Sequence, residues 1–320
     1  MPPVVHAKTT GAALAGAIAA GWLADRALGD PVRFHPVAGF GQIAGALERR
    51  AWRPSRAVGA CYAAILVGAA AGVVALVDRA LPEQTPARAA FRAFVVWVAL
   101  GGRSLERAAG ALGAAVDAGE IGRARALAPS LVGRDPSALD APELCRAAVE
   151  SVAENTSDAV VAPLLWAALL GAPGVVAYRA TNTLDAMVGH RSERYRSFGW
   201  AAARLDDLAN WPAARMSALL AIAWAPAVGG DRAAAWRAAW QDGAAHPSPN
   251  AGRVEGAFAG ALSLELGGLN RYPHGIERRP TLGSGAPPSV GDIARAVRLA
   301  RLVGASAAVL CVALAWTVRR

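Results

Sequence analysis

Apolar positions along this chain fall into long uncharged runs, and polar positions crowd into short clusters at the ends of those runs. Ala57 to Val77 is the clearest run, 21 residues without a charge, and as a helix it is long enough to cross a hydrocarbon core of ~30 Å. Arg49, Arg50, Arg53 and Arg56 stand before it, so the positive-inside bias places its N-terminal end in the cytoplasm. Phe94 to Leu100 is short, but with Ala89 to Ala93 it can return the chain to that side, carrying one arginine, Arg92. Ala159 to Tyr178 is again 20 residues without a charge, interrupted by Pro163, Gly171, Pro173 and Gly174. A plain crossing there would put the polar clusters on either side of it on opposite faces of the membrane. A re-entrant pair of half-helices keeps them on one face, and broken backbone at membrane depth is tolerated where it is buried in protein or lines a cavity. The pattern therefore predicts an all-α fold, a polytopic integral membrane helical bundle with cytosolic helical loops and a re-entrant broken helix.

Three further apolar runs complete the pattern: Gly11 to Ala24, Ala213 to Gly230 and Leu302 to Trp316. The first follows a head containing His6 and Lys8 and resembles a secretory signal. It leads directly into Asp25, Gly29, Asp30, Pro31, His35 and Pro36, so retention as a membrane helix is the expectation. Asp30-Pro31 and His35-Pro36 each drive the preceding residue out of the helical region. That predicts a shaped loop at a membrane surface, with ordinary turn residues after a helix as the alternative. Gly101 to Leu144 is arginine-rich and helical in pattern, with breaks at Pro129, Pro136 and Pro142, and reads as a cytosolic helical segment. Pro280, Gly283, Gly285, Pro287 and Pro288 make a non-helical connector. No internal repeat is evident, and one domain over 1–320 is expected.

Composition sharpens this picture. The chain has 320 residues, 54% of them hydrophobic, and a mean hydropathy of +0.30, which points to a membrane protein and away from a soluble two-domain enzyme. Lys+Arg outnumber Asp+Glu by 33 to 24, for a net charge of +9, and Lys8 is the single lysine. The basic charge is thus almost all arginine, whose guanidinium grips phosphate and carboxylate bidentately. The arginines are scattered and do not form a basic stripe with interleaved aromatics, so nucleic acid is not the expected partner. With one lysine, GxxxxGK[ST] cannot be written anywhere, so any nucleotide is held without a P-loop; HExxH and GxSxG are absent as well. Cys61, Cys145 and Cys311 form no CxxC pair and suggest neither a disulfide framework nor a zinc site.

Candidate chemistry concentrates between Glu150 and Arg215. Glu150, Glu154 and Asp158 recur every fourth residue, which stacks three carboxylates on one helix face with no base among them. Ser151 and Asn155 form a polar row beside it. Such a stripe suits Mg²⁺, which takes a few carboxylates plus water and phosphate oxygens; a solvated helix face is the alternative. Asn182, Asp185 and Gly189 share one side of a second helix. Arg204, Asp206, Asp207 and Asn210 make a second acidic and amide knot, in which Arg204 and Asp207 could equally form an ordinary i,i+3 ion pair.

The stretch ESVAENTSDAVVAPLLWAALLGAPGVVAYRATNTLDAMVGHRSERYRSFGWAAARLDDLANWPAAR resembles the signature of the adenosylcobinamide-phosphate synthase family of cobalamin biosynthesis, the CobD/CbiB proteins. GWLADRALGDPVRFHPV near the N-terminus, HPSPNAGRVEGAFAGALSLELGG near residue 250 and the following RRPTLG resemble the family's other motifs in the same order. The resemblance implies a multi-pass cell-membrane enzyme with its active-site loops toward the cytoplasm. Its reaction joins aminopropanol, or its O-phosphate, to a propionate of adenosylcobyric acid, with ATP and Mg²⁺ as cofactors and an adenosylated corrinoid as substrate. The lipid bilayer is an expected partner, and self-association or contact with other cobalamin-assembly membrane proteins fits as well.

Under that reading Glu150, Glu154, Asp158, Asp206 and Asp207 serve metal or amine binding, with Glu150, Glu154, Asp158 and Asp207 as the metal set. Arg179, Arg191, Arg204 and Arg215 serve phosphate or carboxylate. Asn155, Asn182 and Asn210 orient, Asp30 and Asp185 contact substrate, and His35 takes a catalytic role. His246, Ser248, Asn250, Arg253 and Glu255 suit corrin side chains or the nucleotide. Two other classes remain open from the residues alone. An intramembrane Mg²⁺-dependent prenyltransferase would also use two acidic and amide helices, and a transporter or non-catalytic subunit would explain broken helices and buried acids.

Overall fold

The computed structural model describes residues 4–31, 34–133, 135–190, 192–272 and 275–318. Among the described residues thirteen α-helices and one hairpin follow in order: α1 Val4–Leu28, α2 Pro36–Ala51, α3 Arg56–Ala80, α4 Pro86–Ala99, α5 Gly102–Asp117, α6 Ile121–Leu127, α7 Ala141–Thr156, α8 Ala162–Val188, α9 Tyr195–Phe198, α10 Trp200–Trp224, α11 Arg232–Trp240, α12 Ala251–Leu262, strands β1 Leu266–Tyr272 and β2 Gly275–Leu282, and α13 Val290–Val318. The all-α membrane fold read from the apolar runs is what the chain adopts. Among the described residues three helical stretches are long and apolar enough to cross a membrane: Arg56–Ala80, Ala141–Val188 and Val290–Val318. The runs at 11–24 and 213–230 form helices without reaching that standard.

The chain gathers into two compact units, each assembled from separate stretches. The first holds Met1–Gly101, Ala162–Asn210 and Ala308–Arg320. Its core joins α2, α3, α8 and α9 through Ala44, Tyr62, Leu66, Leu184, Val188 and Phe198, with the Tyr62 and Phe198 rings 4.9 Å apart and the Tyr62 hydroxyl donating to the Ala44 carbonyl. At the α3–α4 end, Asp78 receives Arg92 at 2.7 Å and Arg88 at 3.0 Å, all three largely buried. This ion triad closes the two helices over a short turn whose Thr85 caps α4.

Within α8 the apolar run is broken where its glycines and prolines foretold. Gly171 has φ 72°, ψ −159°, a region in practice reserved for glycine. A side-chain carbon at Gly174 would stand 2.9 Å from the Trp166 carbonyl oxygen, whereas eight residues of straight helix span ~12 Å. The two halves therefore meet at a turn. Both halves also grip consecutive residues of α10, since the Trp166 indole donates to the Ala209 carbonyl and the Tyr178 hydroxyl to Asn210. The stretch 162–178 is thus a pair of half-helices and not one rod.

The second unit holds Gly102–Val161 and Trp211–Ala307. Pro129 lies in a 3₁₀ turn and Pro142 in the first turn of α7, whose N-terminus carries a capping box between Asp140 and Glu143, as the breaks in the arginine-rich segment predicted. α12 is buried along nearly its whole length, with Gly256 and Gly260 against Ala238 and Ala235 of α11. Two features were not anticipated. A π-helical turn, Ser157–Val161, follows α7, and an antiparallel hairpin pairs Leu266 with Leu282 and Gly268 with Arg279 across a bulge.

Candidate functional site

Each unit collects predicted polar residues into a buried network. In the first unit the loop after α1 runs extended through His35 (φ −63°, ψ 121°), and the His35 Nδ1 accepts the Val37 N–H at 3.2 Å to cap α2. The two prolines thus shape this loop as the sequence suggested. Gly29 takes φ 75° and Phe34 φ 57°, and Trp97 fixes the turn by donating to the Gly29 carbonyl at 3.0 Å. The His35 pKa is lowered by burial and by the charge of Arg179, against the opposing pull of Asp30. Asp30, His35 and Arg179 thus share one electrostatic neighbourhood.

A chain of hydrogen bonds ties α8 to α10 in the same unit. Tyr178 Oη donates to Asn210 Oδ1 at 2.8 Å, and Asn210 Nδ2 donates to Asp206 Oδ2 at 2.9 Å. Asn182 Nδ2 donates to the other oxygen, Asp206 Oδ1, at 3.2 Å, and Arg179 donates to Asn182 Oδ1 at 3.2 Å. Each Asp206 oxygen thus receives one amide, an arrangement that stabilises a buried carboxylate. The adjacent acids do not act as a pair. Asp207 lies on the more exposed side and faces Arg204 at 3.5 Å, the i,i+3 ion pair weighed from the sequence, because consecutive helical residues point about 100° apart. Asp185 sits one turn beyond Asn182, its carboxylate against Gly189. Arg191 lies outside the described residues.

In the second unit, residues from two separated motifs meet. Glu150 on α7 is buried, and its Oε1 accepts the Gly267 N–H of β1 at 2.8 Å with Arg146 at 4.0 Å. No base lies among the three carboxylates, but Arg146, one turn before Glu150, offsets the charge at this end of the stripe. Glu154 and Asp158 are half-buried, Asp158 within the π turn. Asn155 bonds back to Ser151, and the Ser151 hydroxyl donates to the Leu131 carbonyl, so this polar row is spent within the protein.

His246 is 8% exposed. Its Nδ1 lies 3.1 Å from the Ser248 backbone nitrogen and 3.3 Å from the Ser248 carbonyl oxygen, and its buried Nε2 has no partner. Burial, then the charge of Arg279, pushes its pKa down to about 4, against the Ser248 carbonyl and Glu150. Ser248 itself caps α12, its hydroxyl accepting the Ala251 N–H at 3.1 Å. Asn250 Oδ1 accepts Arg215 at 2.7 Å, and Arg215 also lies over the Trp211 ring. Glu255 is 1% exposed and faces Arg279 of β2 at 4.0 Å. Arg253 donates to the Ala239 and Trp240 carbonyls, a packing role.

Sequence reasoning missed Arg146, Tyr178 and Arg279. Arg146 was readable as the i−4 neighbour of Glu150, and Arg279 stood in the RRPTLG motif without a role. Tyr178 ended an apolar run and gave no polar signal. Among the described residues no three His, Cys, Asp or Glu side chains gather as a metal cage. Glu154 and Asp158, half-buried and one turn apart, are side chains of the type Mg²⁺ takes beside water and phosphate oxygens.

Taken together, these features define a helical membrane protein whose polar networks are buried beside apolar spans. The family model described as "CobD/Cbib protein" matches residues 18–300, and the chain belongs to the CobD/CbiB family. It is 52% identical over 296 residues to the "Cobalamin biosynthesis protein CobD" of Mycobacterium tuberculosis, covering 92% of this chain and 94% of that protein. It is 43% identical over 282 residues to the protein of that name from Chromobacterium violaceum, covering 87% and 89%. For the Rhodobacter capsulatus protein of that name the figure is 38% over 291 residues, covering 89% and 91%. No solved structure matches this chain.

Proposed function

We propose that this protein acts in cobalamin biosynthesis as an ATP-dependent amide-forming ligase, joining aminopropanol or its O-phosphate to a propionate of adenosylcobyric acid. The observation that carries the reading is the second unit's buried cluster. Two separated motifs bring Glu150, His246, Asn250 and Glu255 into it, and the buried His246 Nε2 there has no protein partner.

The chemistry sets what such residues must do. A carboxylate does not accept an amine at neutral pH because its leaving group would be oxide. Attack of a propionate oxygen on the γ-phosphorus of ATP breaks the bond to the β-phosphate, releases ADP and gives an acyl phosphate. Attack of the amine nitrogen on the acyl carbon then expels phosphate and leaves the amide, with one proton passed to a base. Neutral His246 in its Nε2-protonated form would donate to an anionic oxygen without adding charge, and Arg215, already oriented by Asn250 and Trp211, offers a cation for phosphate. Glu154 and Asp158, half-buried and one turn apart, would bind the amine or meet the metal. Bound Mg²⁺ would offset charge on the transferring phosphoryl group.

The loops serving ATP would face the cytoplasm, where ATP is found. The test is direct: the purified protein, given ATP, Mg²⁺, adenosylcobyric acid and either amine, should yield the amide and one ADP per product by mass spectrometry. Glu154→Gln should lose turnover by about 10²-fold or more while keeping its thermal midpoint. A covalent product from a prenyl diphosphate without ATP, or movement of corrinoid across vesicles with no product, would replace this reading with one of the other two.

A further inference from the structure

The first unit contains an apolar groove of about 440 Å³ between α2, α3, α4 and α8. Its walls include Phe40, Leu66, Ala69, Val73, Phe94 and Val98, and among the described residues only Arg179 and Thr183 bring polar side chains to it. Several wall residues are open to the outside, with Ile43 64%, Val73 61% and Phe94 47% exposed. α3 is one of the helices able to cross a membrane, so an opening rimmed by its aliphatic side chains gives onto lipid tails. Along α3 the lining runs from Leu66 to Val74, ~12 Å of helix. Such walls reward an aliphatic chain and offer nothing to a polar substrate.

One end of the groove is different. Pro36 and Val37, which follow His35, line it together with Arg179, whose charge acts on His35. Thr183 is already engaged, its hydroxyl donating to the Arg179 carbonyl at 2.8 Å. Arg179 gives one terminal nitrogen to Asn182, but its buried Nε has no partner. A guanidinium with a spare donor is complementary to phosphate.

We propose that this groove seats an acyl chain of an anionic phospholipid entering sideways from the bilayer, with the lipid phosphate on the Arg179 guanidinium. The site goes beyond the ligase reaction and does not rest on it, because lipid occupancy is read with no substrate present.

The test uses the full chain in nanodiscs containing traces of a phospholipid with a mid-chain diazirine, as phosphatidylglycerol in one set and phosphatidylcholine in the other. After illumination and peptide mapping, label should concentrate on Ala69, Val73 and Phe94 over Ile65 and Leu76, which are exposed on α3 outside the groove. Phosphatidylglycerol should exceed phosphatidylcholine at the walls by about fivefold, the preference one arginine near an anionic lipid provides, and Arg179→Gln should bring that ratio near unity. Ala69→Trp, which fills the groove from an exposed position, should remove wall label and leave Leu76 label intact. Equal labelling of wall and control residues, or labelling blind to head group in the native chain, overturns the proposal. If Ala69→Trp does not fold, the Arg179→Gln ratio decides alone.

Discussion

At the scale of single residues, burial sets the protonation of the second unit's histidine. His246 is neutral in the folded protein because burial and Arg279 hold its pKa near 4, below the ordinary value of about 6.5. Unfolded chains bind that proton at pH below 6.5 and the folded protein does not. Stability from this group is therefore full above about pH 6.5 and falls as pH drops toward about 4, by on the order of 3 kcal/mol if the whole shift is expressed. Thermal midpoints should decline across that window in the native chain, and the slope should flatten in His246→Asn, which retains an acceptor for the Ser248 N–H. In the Asp206 network the position in the chain of bonds sets the cost. Tyr178→Phe removes an end donor and should cost about 0.5–1.5 kcal/mol, whereas Asn210→Leu strips Asp206 Oδ2 of its amide and should cost about 1–3 kcal/mol. Equal midpoints for the two variants in detergent would show that the network is not buried as described. The acids and amides of both sites were legible as residue types, since apolar surroundings make polar clusters conspicuous. Their partners were not: Arg279 is brought to Glu255 by a β-strand, and no spacing rule connects positions 24 apart on different elements.

At the scale of elements, the legible features were those with local causes. Gly171, Pro173 and Gly174 announced the break in α8, and Pro142 announced the break at the start of α7. The β-hairpin lacked such a signal, because its strands carry arginines and prolines in place of alternating apolar residues. The π turn likewise follows from tertiary packing and has no sequence mark. Gly171 gives the sharpest test. Alanine at φ 72°, ψ −159° should cost about 1–3 kcal/mol, and Gly174→Val should be at least as harmful because its side chain would run into Leu170 and the Trp166 carbonyl. Thermal unfolding of both variants against Gly16→Ala, where nothing lies within 4 Å, separates turn strain from a general loss of glycine.

For the whole molecule, membrane character was the most legible property, since a 21-residue uncharged run has few other uses. The division into two compact units was not legible, because helices α10 and α13 each contribute residues to both and no linker composition marks a boundary. Sidedness follows from the proposed use of ATP. With the native cysteines replaced, single cysteines at the exposed positions Ser137 and Glu193 should react with an impermeant maleimide in opened vesicles and not in intact spheroplasts. Labelling of Glu193→Cys from outside the cell would remove the first unit's network from any reaction with cytosolic ATP.

The Asp78 triad carries a consequence for how the protein is made. Arg88 and Arg92 would each oppose entry of α4 into lipid by about 2.5–3.5 kcal/mol on translocon scales, and Asp78 would burden α3 in the same way. Held together at 2.7–3.0 Å, the three present one net charge. The two helices are joined by only a few residues, so they are suited to leave the translocon as a preassembled hairpin. Asp78→Leu would lighten α3 and yet strand Arg88 and Arg92 of α4, and its mark would be loss of the paired hairpin during synthesis, before any folded protein exists to be assayed.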